Sequence, residues 1–300
     1  MRTVSLLPAA TEIVGVLGLM DQLVGISHDC DFPAEANTKP RVTSCKMPGN
    51  DIASRDIDAW VTEQVQQGAD LYTLDECLLR ELHPELILTQ KLCDVCAPAY
   101  GTIAALAATL PGPPRVINLE PTTLDDIFNN IRTVAVAMNA SEIGTRVLQQ
   151  LHDRVEQVKS RLAQTTKRPR VVLIEWLDPL FCSGHWTPEL IEIAGGIEVL
   201  GGKWQHSVRK TWDDVRHADP EILIIACCGQ TESRALRDWN RIKSQPEVAS
   251  LPAVQSGRVV ITDGNAFFNR PGPRVVDALE YLARIFRSFN RNPKGSASRV

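Results

Sequence analysis

Residues Thr122–Thr166 read TTLDDIFNNIRTVAVAMNASEIGTRVLQQLHDRVEQVKSRLAQTT, and the rest of the chain is arranged around them. The stretch has no proline and one glycine, Gly144. Leu124, Ile127, Phe128, Ile131, Val134 and Met138 recur at helical spacing, and so do Ile143, Val147, Leu151, Val155, Val158 and Leu162. That period predicts two amphipathic helices in succession. Thr123 stands where a cap belongs, and Asp125 with Asp126 suits the positive end of the helix dipole. Asn139 stops the first helix; Ser141 and Glu142 restart the second. The second helix is then roughly 24 residues, about 36 Å at 1.5 Å per residue, long enough to connect two small domains.

Working outward, the N-terminal side alternates strands and helices. Val4–Leu7 ends at Pro8, Ala9–Leu19 is predicted helical, and Leu23–Ser27 is a second strand. It runs into the polar loop His28-Asp29-Cys30-Asp31-Phe32-Pro33. A short strand Arg41–Thr43 leads to Cys45, and helices follow at Ile57–Gln67 and Leu74–Leu82. Glu85–Thr89 is a buried strand leading to Cys93 and Cys96, then a helix Tyr100–Leu110 and a strand Arg115–Leu119. On the C-terminal side the pattern restarts. Strands are predicted at Val171–Ile174, Glu221–Ala226 and Arg258–Ile261, with helices at Pro188–Ala194 and Arg274–Phe289. The two sides are an internal repeat: His83-Pro84-Glu85-Leu86-Ile87-Leu88 matches Asp219-Pro220-Glu221-Ile222-Leu223-Ile224, and Pro114-Arg115-Val116-Ile117 matches Gly257-Arg258-Val259-Val260. Two such copies imply two α/β lobes with mainly parallel sheets. Ligands of open parallel sheets sit beyond the carboxyl ends of the strands, so the expected site is a cleft between the lobes, lined by those loops.

Composition narrows the function. The chain has 300 residues, 44% hydrophobic and 23% charged, enough for two cores. A net charge of −4 gives no bulk attraction to nucleic acid or an anionic membrane. No window approaches the ~18 apolar residues of a membrane span, so direct membrane insertion is not expected. Met1-Arg2-Thr3 leads straight into the first strand with no separate apolar segment, so a cytoplasmic protein is expected, or an extracytoplasmic one if the start is artificial. Eight cysteines are then expected as reduced thiols.

Several loops carry candidate chemistry. Cys93-x-x-Cys96 is half of a metal site that needs two further ligands, or a pair of inert packed thiols. His185-Trp186, before a helix start, suits a flat ligand with a coordinating metal, or caps and packs that helix. Phe267 and Phe268 either cover a ligand or fold back on the terminal helix. Arg270 is suited to a phosphate or propionate. Trp176, Trp204 and Trp212 read more as packing. There is no phosphate loop and no nucleophile elbow. Cys30 with His28 makes a thiol–base pair that lacks an orienting group.

Ser5-Leu6-Leu7-Pro8-Ala9-Ala10-Thr11-Glu12, followed by Val24-Gly25-Ile26-Ser27, resembles the opening of the helical-backbone substrate-binding proteins of ABC importers. Within that family the cobalamin-binding branch is the most similar, through Cys30-Asp31-Phe32-Pro33, Phe181-Cys182-Ser183-Gly184 and Asn269-Arg270-Pro271-Gly272-Pro273-Arg274. The resemblance implies two Rossmann-like α/β lobes joined by a long connecting α-helix. It also implies a cobalamin-like or other metal-chelate ligand, of corrinoid, haem or siderophore class, and an ABC transporter permease as partner. Transport-type cobalamin binders place aromatic rings where Asp29 and Cys45 stand here; a third aromatic position falls near Phe267 and Phe268.

The expectation is therefore an N-terminal lobe 1–121, connecting helices 122–166 and a C-terminal lobe 167–300. Ligand contacts are expected from Asp29, Cys30, Asp31, Cys45, Trp176, His185, Trp186, Asn265, Phe267, Phe268 and Arg270, and metal ligation from Cys93, Cys96 and His185. No enzymatic cofactor is expected. The alternative is a cytosolic metal-thiolate protein or thiol enzyme using Cys30, Cys93, Cys96, Cys227 or Cys228.

Overall fold

The computed structural model describes residues 1–47, 52–90, 100–162 and 167–291. The chain runs β1 (Thr3–Ser5), α1 (Pro8–Val16), β2 (Leu23–Ile26), β3 (Thr43–Cys45), α2 (Ser54–Gln66), β4 (Tyr72–Leu74), α3 (Glu76–Glu81), β5 (Leu86–Thr89), α4 (Tyr100–Thr109) and β6 (Arg115–Asn118). The two long helices α5 (Leu124–Ala137) and α6 (Ser141–Leu162) follow. Then come β7 (Arg170–Leu177), β8 (Leu180–Cys182), α7 (Thr187–Ile193), β9 (Ile197–Glu198), α8 (Trp212–Ala218), β10 (Ile222–Ile225), α9 (Glu232–Ile242), α10 (Pro246–Ala249), α11 (Pro252–Gln255), β11 (Val259–Ile261), α12 (Gly264–Phe267) and α13 (Val275–Arg291). The chain forms two compact units. One comprises Met1–Ile52, Asp56–Pro121 and Asp125–Gln149; the other comprises Ala53–Arg55, Thr122–Leu124 and Gln150–Val300.

The predicted stripes of α5 and α6 are the buried faces: Ile127, Ile131 and Val134 are fully enclosed, and Val147, Leu151, Val155 and Val158 nearly so. The lone glycine of this stretch has a packing reason in the first unit. A Cβ on Gly144 would stand 2.5 Å from the Ala135 Cβ, so only glycine lets the first turns of α6 lie against α5.

The first unit holds a four-stranded parallel sheet in the order β2-β1-β5-β6, and β3 pairs antiparallel with β4. Its core includes Val4, Val42, Leu79, Ile87 and Ile103. The predicted helix over Leu74–Leu82 is shorter than the pattern suggests. Tyr72–Leu74 is strand, and Asp75 caps α3 by accepting from the Leu78 amide at 2.9 Å.

The second unit has the order β11-β10-β7-β8, with β9 also on β7. All of β10 is buried, as expected of a strand covered on both faces. The repeat seen in the sequence is a repeat of contacts. In the first unit the Arg2 amide donates to Glu85 Oε2 and the Arg2 Nε to the Leu82 carbonyl. In the second the Arg170 amide donates to Glu221 Oε2 and the Arg170 Nε to the Asp219 carbonyl. The parallel strands β9-β7-β10-β11 repeat the order β2-β1-β5-β6.

One element breaks the repeat. The strand predicted over Val171–Ile174 continues to Leu177 and folds back as β8, antiparallel, with Cys182 opposite Ile174. Alternation cannot show this hairpin, because both arms are apolar and only Asp178-Pro179 separates them. Among the described residues no helix is long and apolar enough to cross a membrane.

Candidate ligand-binding site

In the first unit, β2 delivers the loop Ser27–Pro33. Arg41 organises it: Nη1 donates to the carbonyls of Ser27, His28 and Cys30 at 3.2, 2.5 and 3.3 Å. The His28 ring is 2.8 Å from Thr43 Oγ1 and packs on Tyr72 at 5.1 Å. Burial lowers the His28 pKa, against the pull of Asp29. Asp29, Asp31 and Cys45 are exposed. Cys30 is not: its thiol is fully buried, with Thr11 Oγ1 donating to Sγ at 3.0 Å and Sγ in hydrogen-bond contact with Ser27 Oγ at 3.2 Å. The expectation that Cys30 contacts ligand is therefore corrected. A small polarizable side chain there fills a polar niche under the loop.

In the second unit the β7–β8 hairpin changes where two expected residues lie. Because β8 runs back along β7, Ser183 donates its amide to the Leu173 carbonyl, and His185-Trp186 follows a returning strand rather than the end of β7 itself. Gly184 sits under the segment 205–207; a Cβ would meet the Ser207 nitrogen at 2.5 Å and the Gln205 oxygen at 2.6 Å. His185 follows with φ 51, a conformation L residues rarely adopt, held by its amide on Gln205 O at 2.6 Å. Its ring meets His206 edge-on at 4.9 Å, and its enclosed Nε2 makes no hydrogen bond. Burial and the facing His206 both lower its pKa.

Trp186 is 5% exposed, and its indole N–H donates to the Phe268 carbonyl at 3.0 Å. Phe268 is 1% exposed. The expected wall at Trp186 and Phe268 is thus corrected: the two belong to the interior, where the indole N–H finds a backbone partner.

Phe267 behaves differently. It is half-buried and lies flat on Tyr281, centroids 5.1 Å apart and planes 9° apart. Asn265 and Arg270, on the same segment after β11, are also half-buried. Trp176, at the end of β7, donates its indole N–H to the carbonyls of Ser54 and Asp178 at 3.2 and 3.1 Å.

Two polar groups of the second unit carry unusual environments: Glu175, which the sequence places with the strand-end residues, and Asp238, which it does not single out. Glu175 accepts from the Gly184 amide at 3.3 Å and from the Ser207 hydroxyl in a short contact. Burial pushes its carboxyl from 4.5 to about 7, against those hydrogen bonds, and neighbouring Glu198 adds repulsion. Asp238 is 7% exposed and accepts from Ser54 Oγ at 2.6 Å, Gln230 Nε2 at 3.2 Å and Arg241 Nη1 at 3.0 Å. The Arg241 spacing, three residues on in α9, is the one sequence signal for this cluster.

The six described cysteines are free thiols: Cys30, Cys45, Cys77, Cys182, Cys227 and Cys228. Burial holds the Cys182 and Cys227 thiols well above their ordinary range, the reverse of a nucleophile's environment. Cys30 and Cys227 are enclosed rather than presented as nucleophiles, whereas Cys228 is exposed. Cys93 and Cys96 lie outside the described residues. Among the described residues no three His, Cys, Asp or Glu side chains are grouped to hold a metal ion.

The family model described as periplasmic binding protein matches residues 4–266. The chain belongs to this family. It is 23% identical over 295 residues to a vitamin B12-binding protein of Vibrio cholerae serotype O1, covering 95% of this chain and 89% of that protein. Among solved structures it is similar to the periplasmic haem-binding protein RhuT from Roseiflexus sp. RS-1 in apo form. The TM-score is 0.71 and the identity 21%, covering 96% of this chain and 98% of that one. It is likewise similar to the periplasmic vitamin B12 binding protein BtuF of Vibrio cholerae, with TM-score 0.70, identity 21%, and coverage of 97% and 98%. These likenesses establish the expected fold, two α/β units with mainly parallel sheets and a helical connection along the chain.

Proposed function

We propose that the protein is a binding protein for a metal-chelate ligand of corrinoid, haem or siderophore class, serving an ABC importer. The observation that carries the reading is the relatedness to a vitamin B12-binding protein along nearly the whole chain. Haem and cobalamin binders that share the fold support the same class. The local chemistry suits it. Phe267 on Tyr281 offers a flat apolar face, and Arg270 on the same segment suits a phosphate or propionate. In this reading Trp176, Asn265, Phe267 and Arg270 contact ligand in the second unit, and Asp29, Asp31 and Cys45 in the first. His185 stays neutral near pH 7 because its pKa is lowered, so one ring nitrogen keeps a lone pair for a chelated metal. Nε2 is enclosed, so ligation through it requires a local rearrangement around the ring.

The protein then binds rather than converts its ligand, and its partner is a transporter permease. We place its work outside the cytoplasm, in place of the cytoplasmic expectation, which no relative supports; the similar proteins described as periplasmic favour the change. The test is the visible spectrum and metal content of protein incubated with haemin or cyanocobalamin and passed through a desalting column. A co-eluting haem or corrin band at one equivalent supports the proposal. Elution with zinc alone, or with no chromophore for either compound and for a ferric siderophore, overturns it.

A further inference from the structure

The seam between α6 and α13 in the second unit has two ends of different charge. At one end Arg154 on α6 meets Asp277 and Glu280 on α13, at 2.5 and 2.9 Å. These contacts raise the Arg154 pKa and lower that of Glu280. About two turns further along the same stripes, the partners change sign. A groove is lined there by Gln157, Val158, Arg161 and Leu162 of α6 and by Glu280, Ala283, Arg284 and Arg287 of α13. Among the described residues three arginines line this groove, and its single acid, Glu280, is already engaged by Arg154. Arg284 stands over the Tyr281 ring at 5.7 Å, and Arg287 fastens its Nε to the Ala283 carbonyl at 3.1 Å. Among the described residues the terminal guanidinium nitrogens of Arg287 have no acceptor.

We infer that this basic end of the seam is a binding site for a phosphate group. Guanidinium forks match phosphate oxygens in pairs, and three of them compensate a dianion. The chain as a whole is acidic, with net charge −4, so the local charge is not a reflection of its composition. Arg161 also lies in the last turn of α6, where a cation favours the helix dipole. That role needs one arginine, and it does not call for Arg284 and Arg287 across the groove. The phosphate can be free or carried by a lipid headgroup, and the experiment separates the two.

Wild type, Arg161→Gln and Arg284→Gln are melted in rising inorganic phosphate, against sodium chloride at matched ionic strength. Each is also sedimented with phosphatidylglycerol and with phosphatidylcholine vesicles. Both arginines are exposed, so the variants are expected to fold. The inference expects a saturable rise in the wild-type midpoint with phosphate, or sedimentation with phosphatidylglycerol alone. Each substitution should raise the half-saturating concentration about tenfold, the weight of one lost charge-assisted hydrogen bond. A rise in phosphate marks the free anion as ligand; sedimentation without such a rise marks the lipid. Wild type that responds to neither, or variants that respond as wild type does, overturn the inference. Neither outcome depends on whether a metal chelate binds elsewhere.

Discussion

Replacing Glu175 by Gln should flatten one part of the stability–pH curve. The carboxyl is pushed from 4.5 to about 7 by burial. A raised folded-state pKa means that the folded protein keeps this proton while the unfolded chain has lost it. Stability from this group is therefore full below pH 4.5, declines as pH rises, and is gone above about 7. At about 1.4 kcal/mol per pH unit, the full decline is about 3 kcal/mol. His28 and His185 act in the opposite sense. Their lowered pKa values remove stability as pH falls through 6.5, the unfolded value. Both histidines remain in the variant, so the difference between wild type and Glu175→Gln isolates the carboxyl. Glutamine mimics the neutral acid and still accepts from Ser207 or Gly184. Urea unfolding followed by tryptophan fluorescence reports mostly on the second unit, which holds Trp176, Trp186, Trp204, Trp212 and Trp239. Relative to its own value at about pH 4.5, the variant should gain about 3 kcal/mol over wild type by about pH 8. Parallel curves across that range would refute the enclosure of this carboxyl.

Three further outcomes follow from the packing. Phe267→Ala should weaken chelate binding by about 1–3 kcal/mol, the scale of a ring lost from a pocket, and leave the unfolding midpoint nearly unchanged; isothermal titration reads the affinity and a thermal melt the midpoint. Trp186→Ala should instead cost about 3–5 kcal/mol of stability, since the indole is an interior group bonded to Phe268, read by urea unfolding. Ser54→Ala should cost about 1–3 kcal/mol by removing the 2.6 Å hydrogen bond to buried Asp238, measured the same way.

The helices at the centre of the chain were legible because nothing competes with a sustained period of 3.6, and predicted apolar positions such as Ile127, Ile131, Leu151 and Val155 are buried. The repeat was legible because Glu85 and Glu221 each serve the same strand-edge contact. The β7–β8 hairpin was not, because Leu173–Leu177 reads as an ordinary buried strand end and pairing direction leaves no mark in composition. That single miss put His185 and Trp186 after a returning strand rather than after the end of β7. Aromatic identity also failed to separate neighbours: Phe267 and Phe268 are adjacent, yet one lies half-buried on Tyr281 and the other is enclosed. Likewise, Glu175 gave no sign of an enclosed carboxyl, since its environment comes from Gly184 and Ser207, further along the chain.

The most direct measurement is a calorimetric titration of the purified protein with cyanocobalamin, haemin and a ferric siderophore. Saturable one-to-one binding of at least one of them is expected, at about micromolar dissociation constant or tighter, roughly −8 kcal/mol. Absence of heat and of spectral change for all three, from protein that unfolds cooperatively, would contradict a metal-chelate binding role.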